Sequence, residues 1–153
     1  MDDPRVSLVL MIVPIWREAP LRGSPASRTS SAPSKPVIVT EFGICSYAGA
    51  DSSGGGGHDV IDFSTTPTRI DPGLERDEQL QADHLVELIQ IFTEEEIDGG
   101  FVFAFSEPSN PWSKDPALDL DRASYGIVQV LHGSGWVAKR AFHAIASAYD
   151  EFH

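Results

Sequence analysis

From Pro36 the chain reads Pro-Val-Ile-Val-Thr-Glu-Phe, a β-branched apolar stretch of strand length. Its continuity predicts a buried strand covered on both faces, as in parallel sheets. From Ile44 to Arg76 the periodicity is lost, and the segment carries Ser52-Ser53-Gly54-Gly55-Gly56-Gly57, Thr66-Pro67 and Asp71-Pro72-Gly73. Loops of this length are commonly functional or disordered. Asp77 to Glu95 then has helical spacing, with Leu85, Leu88, Ile89 and Phe92 on one stripe, Leu80 one turn earlier, and Glu78, Asp83 and Glu87 opposite. Acidic residues near its start suit the helix dipole, and Asp98-Gly99-Gly100 supplies glycine for the stop. Gly100 to Phe105 reads as a second apolar strand, and Ser106 to about Leu120, with Pro108, Pro111 and Pro116, as irregular. A last helix is predicted from Val137 to Tyr149, with Ala141, Phe142, Ile145, Ala148 and Tyr149 on one side. Strand, helix, strand, helix in this order indicates an α/β domain with a parallel sheet.

The N-terminal text differs in kind. Residues 1–36 carry five basic and three acidic side chains, net +2, whereas residues 37–153 carry six and twenty, net −14. Glu18 to Pro36 is rich in Pro, Ser, Ala and Arg, with little to bury, so residues 1–35 are expected to be disordered or the product of a shifted reading frame. The ordered domain is assigned to residues 36–153. Val6–Val13 is apolar but too short to span a bilayer, and it lacks the cationic lead-in of an export signal.

The total charge of −12 argues against nucleic acid and anionic membranes as partners, since phosphate recognition needs clustered Lys and Arg. The single cysteine, Cys45, excludes an intrachain disulfide and favours a reducing, cytoplasmic compartment. Without a His partner it reads as a packing residue. The five histidines form no His-Glu-x-x-His arrangement, so neither a metal nor a cofactor is expected. The glycine run has no following Lys-Ser/Thr and precedes no predicted helix, which makes it a flexible loop and not a phosphate cradle. Glu94-Glu95-Glu96 reads as a solvated helix end.

Glu41 is the residue with chemical interest. In α/β folds ligands gather beyond the carboxyl ends of strands, and a charge closing an apolar strand is costly unless it is hydrogen-bonded or used. Two readings stand: a functional carboxylate, or a structural one paired with an Arg from the neighbouring strand.

Lys35-Pro36-Val37-Ile38-Val39-Thr40-Glu41-Phe42-Gly43 resembles the seventh strand of retaining glycoside hydrolases of the large (β/α)8 clan, where a strand-end Glu is the nucleophile. Gly99 to Phe105 resembles the eighth strand, and Ser124-Tyr125-Gly126-Ile127-Val128 with Trp136 to Phe142 resembles the closing passage and terminal helix. Thr40-Glu41-Phe42-Gly43 together with Asp119-Leu120-Asp121-Arg122-Ala123-Ser124-Tyr125-Gly126 is similar to actinobacterial glycosidase-like proteins labelled abortive infection protein. The resemblance implies a partial TIM barrel, its last two strand-helix units, because a complete barrel takes about 250 residues.

The implied activity is hydrolysis of a glycosidic bond, with Glu41 catalytic. Retaining hydrolysis needs two carboxyls about 5 to 5.5 Å apart. In the clan the acid/base Glu closes the fourth strand, usually after Asn; the single Asn here, Asn110, precedes Pro111. The chain therefore supplies half of a catalytic pair and is expected to be inactive alone. Glu107 is either a substitute acid or a loop anchor, and Trp112 either stacks on a sugar or plugs the barrel mouth. Phe105 stands near the clan's usual sugar platform, and Tyr47 follows Glu41 in the next loop; with Trp112 and Glu107 they are the candidate contacts for a carbohydrate ligand. The alternatives are an inactive remnant and a non-catalytic carbohydrate-binding or interaction module. Two strands cannot close a barrel, so self-association through open edges is expected.

Overall fold

A computed structural model describes residues 37–133 and 135–151 of the chain. The expectations for residues 1–35 lie outside these. The described part is a mixed α/β domain built on short two-stranded sheets, with no closed barrel. Strand β1 (Ile38–Phe42) is followed by two 3-10 segments (Ala50–Ser52 and Gly54–Val60), the short antiparallel strands β2 (Ile61–Asp62) and β3 (Arg69–Ile70), and helix α1 (Glu78–Glu94). Then come β4 (Gly99–Val102), a 3-10 turn (Leu120–Ala123), the antiparallel pair β5 (Val128–Val130) and β6 (Trp136–Ala138), and helix α2 (Arg140–Glu151).

β1 and β4 pair in parallel with α1 between them in sequence, a β-α-β unit as the alternation predicts. The register places Val39 opposite Gly100 and Phe42 opposite Val102, so β1 carries one extra residue across the Thr40–Glu41 step. This side of the sheet faces α1. A Cβ on Gly100 would lie 3.1 Å from the Phe42 ring and 3.3 Å from the Phe92 ring, and those two rings meet edge-on at 5.0 Å.

The opposite side is open, which corrects the expectation of a strand buried on both faces: Val37, Ile38, Thr40 and Glu41 are exposed. β1 has β4 as its one strand neighbour among the described residues, so the continuous apolar run has material to cover only one of its faces.

Helix α1 begins where the sequence places it, because Asp77 Oδ1 accepts the Leu80 amide at 2.8 Å and caps the first turn. Its stop is different. Glu96 adopts the left-handed conformation (φ 56°), with its amide bonded to Thr93 O and that of Ile97 to Phe92 O. This is a Schellman ending carried by a glutamate. Gly99 and Gly100 are strand residues, and at Gly100 the absence of a side chain lets Phe42 and Phe92 close over the backbone.

Leu85 and Ile89 of α1 and Ala141, Phe142, Ile145 and Ala148 of α2 are buried, and the two helices pack together. Val137 and Ala138, expected to open the last helix, belong instead to β6; α2 starts at Arg140, whose amide donates to Glu78 Oε2 at 3.1 Å.

Arg76, Asp119, Asp121, Arg122 and Lys139 form a network of charges. Arg76 donates to both Asp119 carboxylate oxygens (3.1 and 3.0 Å) and to Asp121 Oδ2 (2.8 Å). Lys139 Nζ lies 3.1 Å from the same Asp121 oxygen and donates to Ser46 Oγ and the Asp121 carbonyl, both at 3.2 Å. Arg122 donates to the carbonyls of Leu74 and Pro116. Burial pushes the Asp121 carboxyl up and the Lys139 ammonium down, each against the attraction of its partner. Among the described residues no helix is long and apolar enough to cross a membrane.

Candidate functional site at the end of the parallel strands

Glu41 occupies the carboxyl end of β1 at the extra residue of that strand. Thr40 and Glu41 together oppose Phe101, and a bulge of this kind re-aims side chains. Glu41 is exposed and lines a cleft of about 350 Å³ with Phe42, Gly43, Gly54, Gly55, Phe103 and Tyr125. It makes no ion pair among the described residues, so the Arg-paired reading has no support.

The cleft walls are held by backbone geometry. The Phe103 amide donates to the Phe42 carbonyl at 2.8 Å, fixing the chain after β4 beside Glu41. From there Ala104 bonds to Tyr125 O, and Ile127 and Val128 bond back to Ala104 O and Phe105 O, which carries Tyr125 into the site. Gly43 is required at its position, since a Cβ there would stand 2.0 Å from the Phe103 carbonyl oxygen.

The glycine run is ordered, correcting its reading as a flexible loop. Gly54–Val60 forms a 3-10 segment in which the Gly57 amide donates to Tyr125 Oη at 3.1 Å, and Tyr125 Oη donates to Gly55 O at 3.1 Å. A Cβ on Gly57 would sit 2.5 Å from Cys45 Sγ and 2.9 Å from Tyr125 Oη, so glycine lets the turn close onto the tyrosine.

Glu107 lies in the layer beneath. Its Oε2 accepts the Tyr125 amide at 2.6 Å and stands 3.3 Å from His58 Nε2, and the His58 and Tyr125 rings meet at 4.8 Å. This carboxylate anchors the cleft wall and is not among the groups lining the cleft. Cys45 is buried, with Sγ donating to the Ala123 carbonyl at 3.1 Å. Burial, reinforced by nearby Glu107, pushes its thiol up from 9.0 to about 12, which suits a packing residue and not a nucleophile.

Neither models of known protein families nor curated proteins match this chain.

The remaining sequence candidates stand apart from the cleft lining. Tyr47 is buried, with its hydroxyl donating to Ser53 Oγ at 3.0 Å. Phe105 is half-buried and packs edge-on against Trp136 at 5.5 Å, which in turn stacks near Phe142. Trp112 is half-buried, its amide tied to the Val130 carbonyl at 2.8 Å. Among the described residues no group of three or more His, Cys, Asp or Glu is placed to hold a metal ion.

Sequence reasoning passed over Tyr125 as a site residue, and of the two rings near the expected sugar platform, Phe103 and Phe105, it chose Phe105. Tyr125 belongs to the Ser-Tyr-Gly motif and carries no charge that would single it out. What the arrangement offers chemically is one free carboxylate beside an exposed phenyl ring and a tyrosine, over a glycine-lined floor.

Proposed function

We propose that residues 36–153 are the closing piece of a retaining glycosidase-like TIM barrel, with Glu41 as its nucleophile and with no activity on ordinary glycosides alone. The observation that carries this reading is the unpaired Glu41 carboxylate, set at the carboxyl end of a parallel strand pair and facing a cleft it shares with Phe103 and Tyr125. Phe103, 41% exposed, takes the role of apolar floor for a sugar ring. Among the described residues the cleft lining holds no second carboxyl to protonate a leaving oxygen, and Glu107 is engaged with the Tyr125 amide.

An activated substrate removes the need for that proton. With dinitrophenyl 2-fluoroglycosides, Glu41 Oε forms a bond to the anomeric carbon as the bond to the phenolic oxygen breaks, and dinitrophenolate leaves as the anion. The expected result, over a panel of sugars, is a stoichiometric glycosyl adduct in intact mass that maps to Glu41 and is lost in Glu41→Gln. Labelling that is unchanged in Glu41→Gln, or absent with every sugar, refutes the nucleophile assignment.

The lone carboxylate also favours a second reading, a carbohydrate-binding module on a barrel remnant. Oligosaccharide binding that persists in Glu41→Gln and is lost in Phe103→Ala, without any adduct, is its signature.

A further inference from the structure

The cleft beside Glu41 combines one sign of charge with aromatic walls. Among the described residues its lining holds no Lys, Arg or His, and its one charged group is the Glu41 carboxylate. The Phe103 and Tyr125 rings meet at 5.8 Å and 53°, converging at an angle and not stacked, and Phe103 is open to solvent. An aromatic face and a carboxylate attract the same kind of group, a cation. Cations elsewhere in the domain are matched by anions of their own. Arg76, Arg122 and Lys139 face Asp119 and Asp121, and His58, against the Tyr125 ring, stands 3.3 Å from Glu107. The field of residues 37–153, net −14, adds to this bias by drawing in positive ligands and repelling negative ones.

We propose that the cleft selects sugars with an ammonium group at C2, the 2-amino-2-deoxyhexoses, over neutral and acidic sugars. The inference rests on the reading of the cleft as a sugar site with Glu41 at its reacting end, and it names the class of sugar taken. C2 is bonded to the anomeric carbon that Glu41 attacks in that reading, and the C2 substituent is a hydrogen-bonding group that retaining enzymes hold in the transition state. An ammonium at C2 donates to the Glu41 carboxylate while the apolar face of the sugar lies on Phe103. A uronate instead brings a second anion into a lining that offers no cation.

Both attractions act at an exposed site. A solvated ion pair and a cation near an exposed ring each contribute modestly, and together they amount to roughly a tenfold preference for the amino sugar.

Amide NMR titration of the full 15N-labelled chain tests this at about pH 6, where amino sugars are cations and glucuronate is an anion. Glucosamine, galactosamine and mannosamine are each compared with the parent hexose. For at least one pair the Gly43, Gly55 and Phe103 amides should shift with roughly tenfold tighter binding of the amino sugar, and glucuronate should leave them unmoved. In Glu41→Gln the preference should vanish while the hexose affinity stays, and in Phe103→Ala both sugars should weaken; the same spectra report whether each variant is folded.

Equal affinities within every pair, no binding of any sugar, or a preference that survives Glu41→Gln overturns the inference. So do shifts confined to the acidic groove of Asp77, Asp83 and Glu87, which would mark general attraction to a negative surface. The nucleophile reading fails separately. An amino-sugar preference without a fluoroglycoside adduct supports the class of ligand and refutes the nucleophile, whereas an adduct on Glu41 without the preference does the reverse.

Discussion

Removing the charge of Asp121 should be among the most damaging single changes in this domain, and more damaging than removing its lysine partner. The Lys139 side chain has 0% exposure and Asp121 1%, and their charged atoms are 3.1 Å apart. In Asp121→Asn the ammonium keeps Ser46 Oγ and the residue 121 carbonyl but has no anion left in contact. Breaking a buried pair in this way costs about 3–5 kcal/mol. Arg76 is buffered, since it retains two bonds to Asp119 and a contact to Glu78.

Lys139→Met leaves a different remainder. Asp121 still receives Arg76 at 2.8 Å, so the loss is closer to one charge-assisted hydrogen bond, about 1.5–3 kcal/mol. Urea unfolding followed by tryptophan fluorescence and far-UV circular dichroism measures both. With a urea slope of about 2 kcal/mol per molar, Asp121→Asn should lower the midpoint by roughly 2 M, and Lys139→Met by roughly half that at an unchanged slope. A loss below about 1 kcal/mol in Asp121→Asn, or a Lys139→Met penalty equal to or above it, would refute the account of an ammonium dependent on one anion.

Two further outcomes follow from the site's walls. Because burial holds the Cys45 thiol at about 12 against an ordinary 9.0, the folded chain keeps a proton that the unfolded chain releases between these values. Its contribution is complete below pH 9 and is lost as pH rises toward 12, at up to about 1.4 kcal/mol per pH unit. Cys45→Ala should flatten the pH 9–10 part of that decline, below the range where Tyr149, also raised by burial to about 12, begins to add its own; an unaltered slope in urea titrations contradicts it. Gly43→Ala must displace the Phe103 carbonyl, a backbone atom, and should cost about 1–3 kcal/mol or more while moving the 103–105 amide resonances; a variant of native stability and spectrum argues against the close approach.

How far the sequence foretold the fold depends on what each residue needed in order to be read. Helix α1 was legible because its apolar stripe and Asp77 cap are local, and the buried face of α2 was legible for the same reason. Val137 and Ala138 were misassigned to the last helix since so short an apolar stretch fits either period; the pairing of Trp136–Ala138 with Val128–Val130 decides it. The ion network was invisible because Arg76, Asp121 and Lys139 meet only in three dimensions. A glycine run likewise looks flexible until Tyr125, distant in sequence, supplies the hydroxyl that fixes it.

The two glutamates at this end of the sheet show why residue type alone could not divide the roles between them. Each follows an apolar strand, and each was a candidate for chemistry. A carboxylate drawn partly out of water persists when it is hydrogen-bonded, and half-buried Glu107 meets that condition through contacts of its Oε2 with the Tyr125 amide and His58, so its environment accounts for it structurally. Glu41 has no such account: its strand carries an extra residue at that step, its side chain reaches solvent, and the groups around its cleft are held by bonds that leave it out. Replacing Glu107 should therefore disturb the fold around Tyr125, whereas replacing Glu41 should leave stability intact and alter only what the cleft binds or attacks. The separation of those two effects is what makes Glu41 the residue on which the functional reading turns.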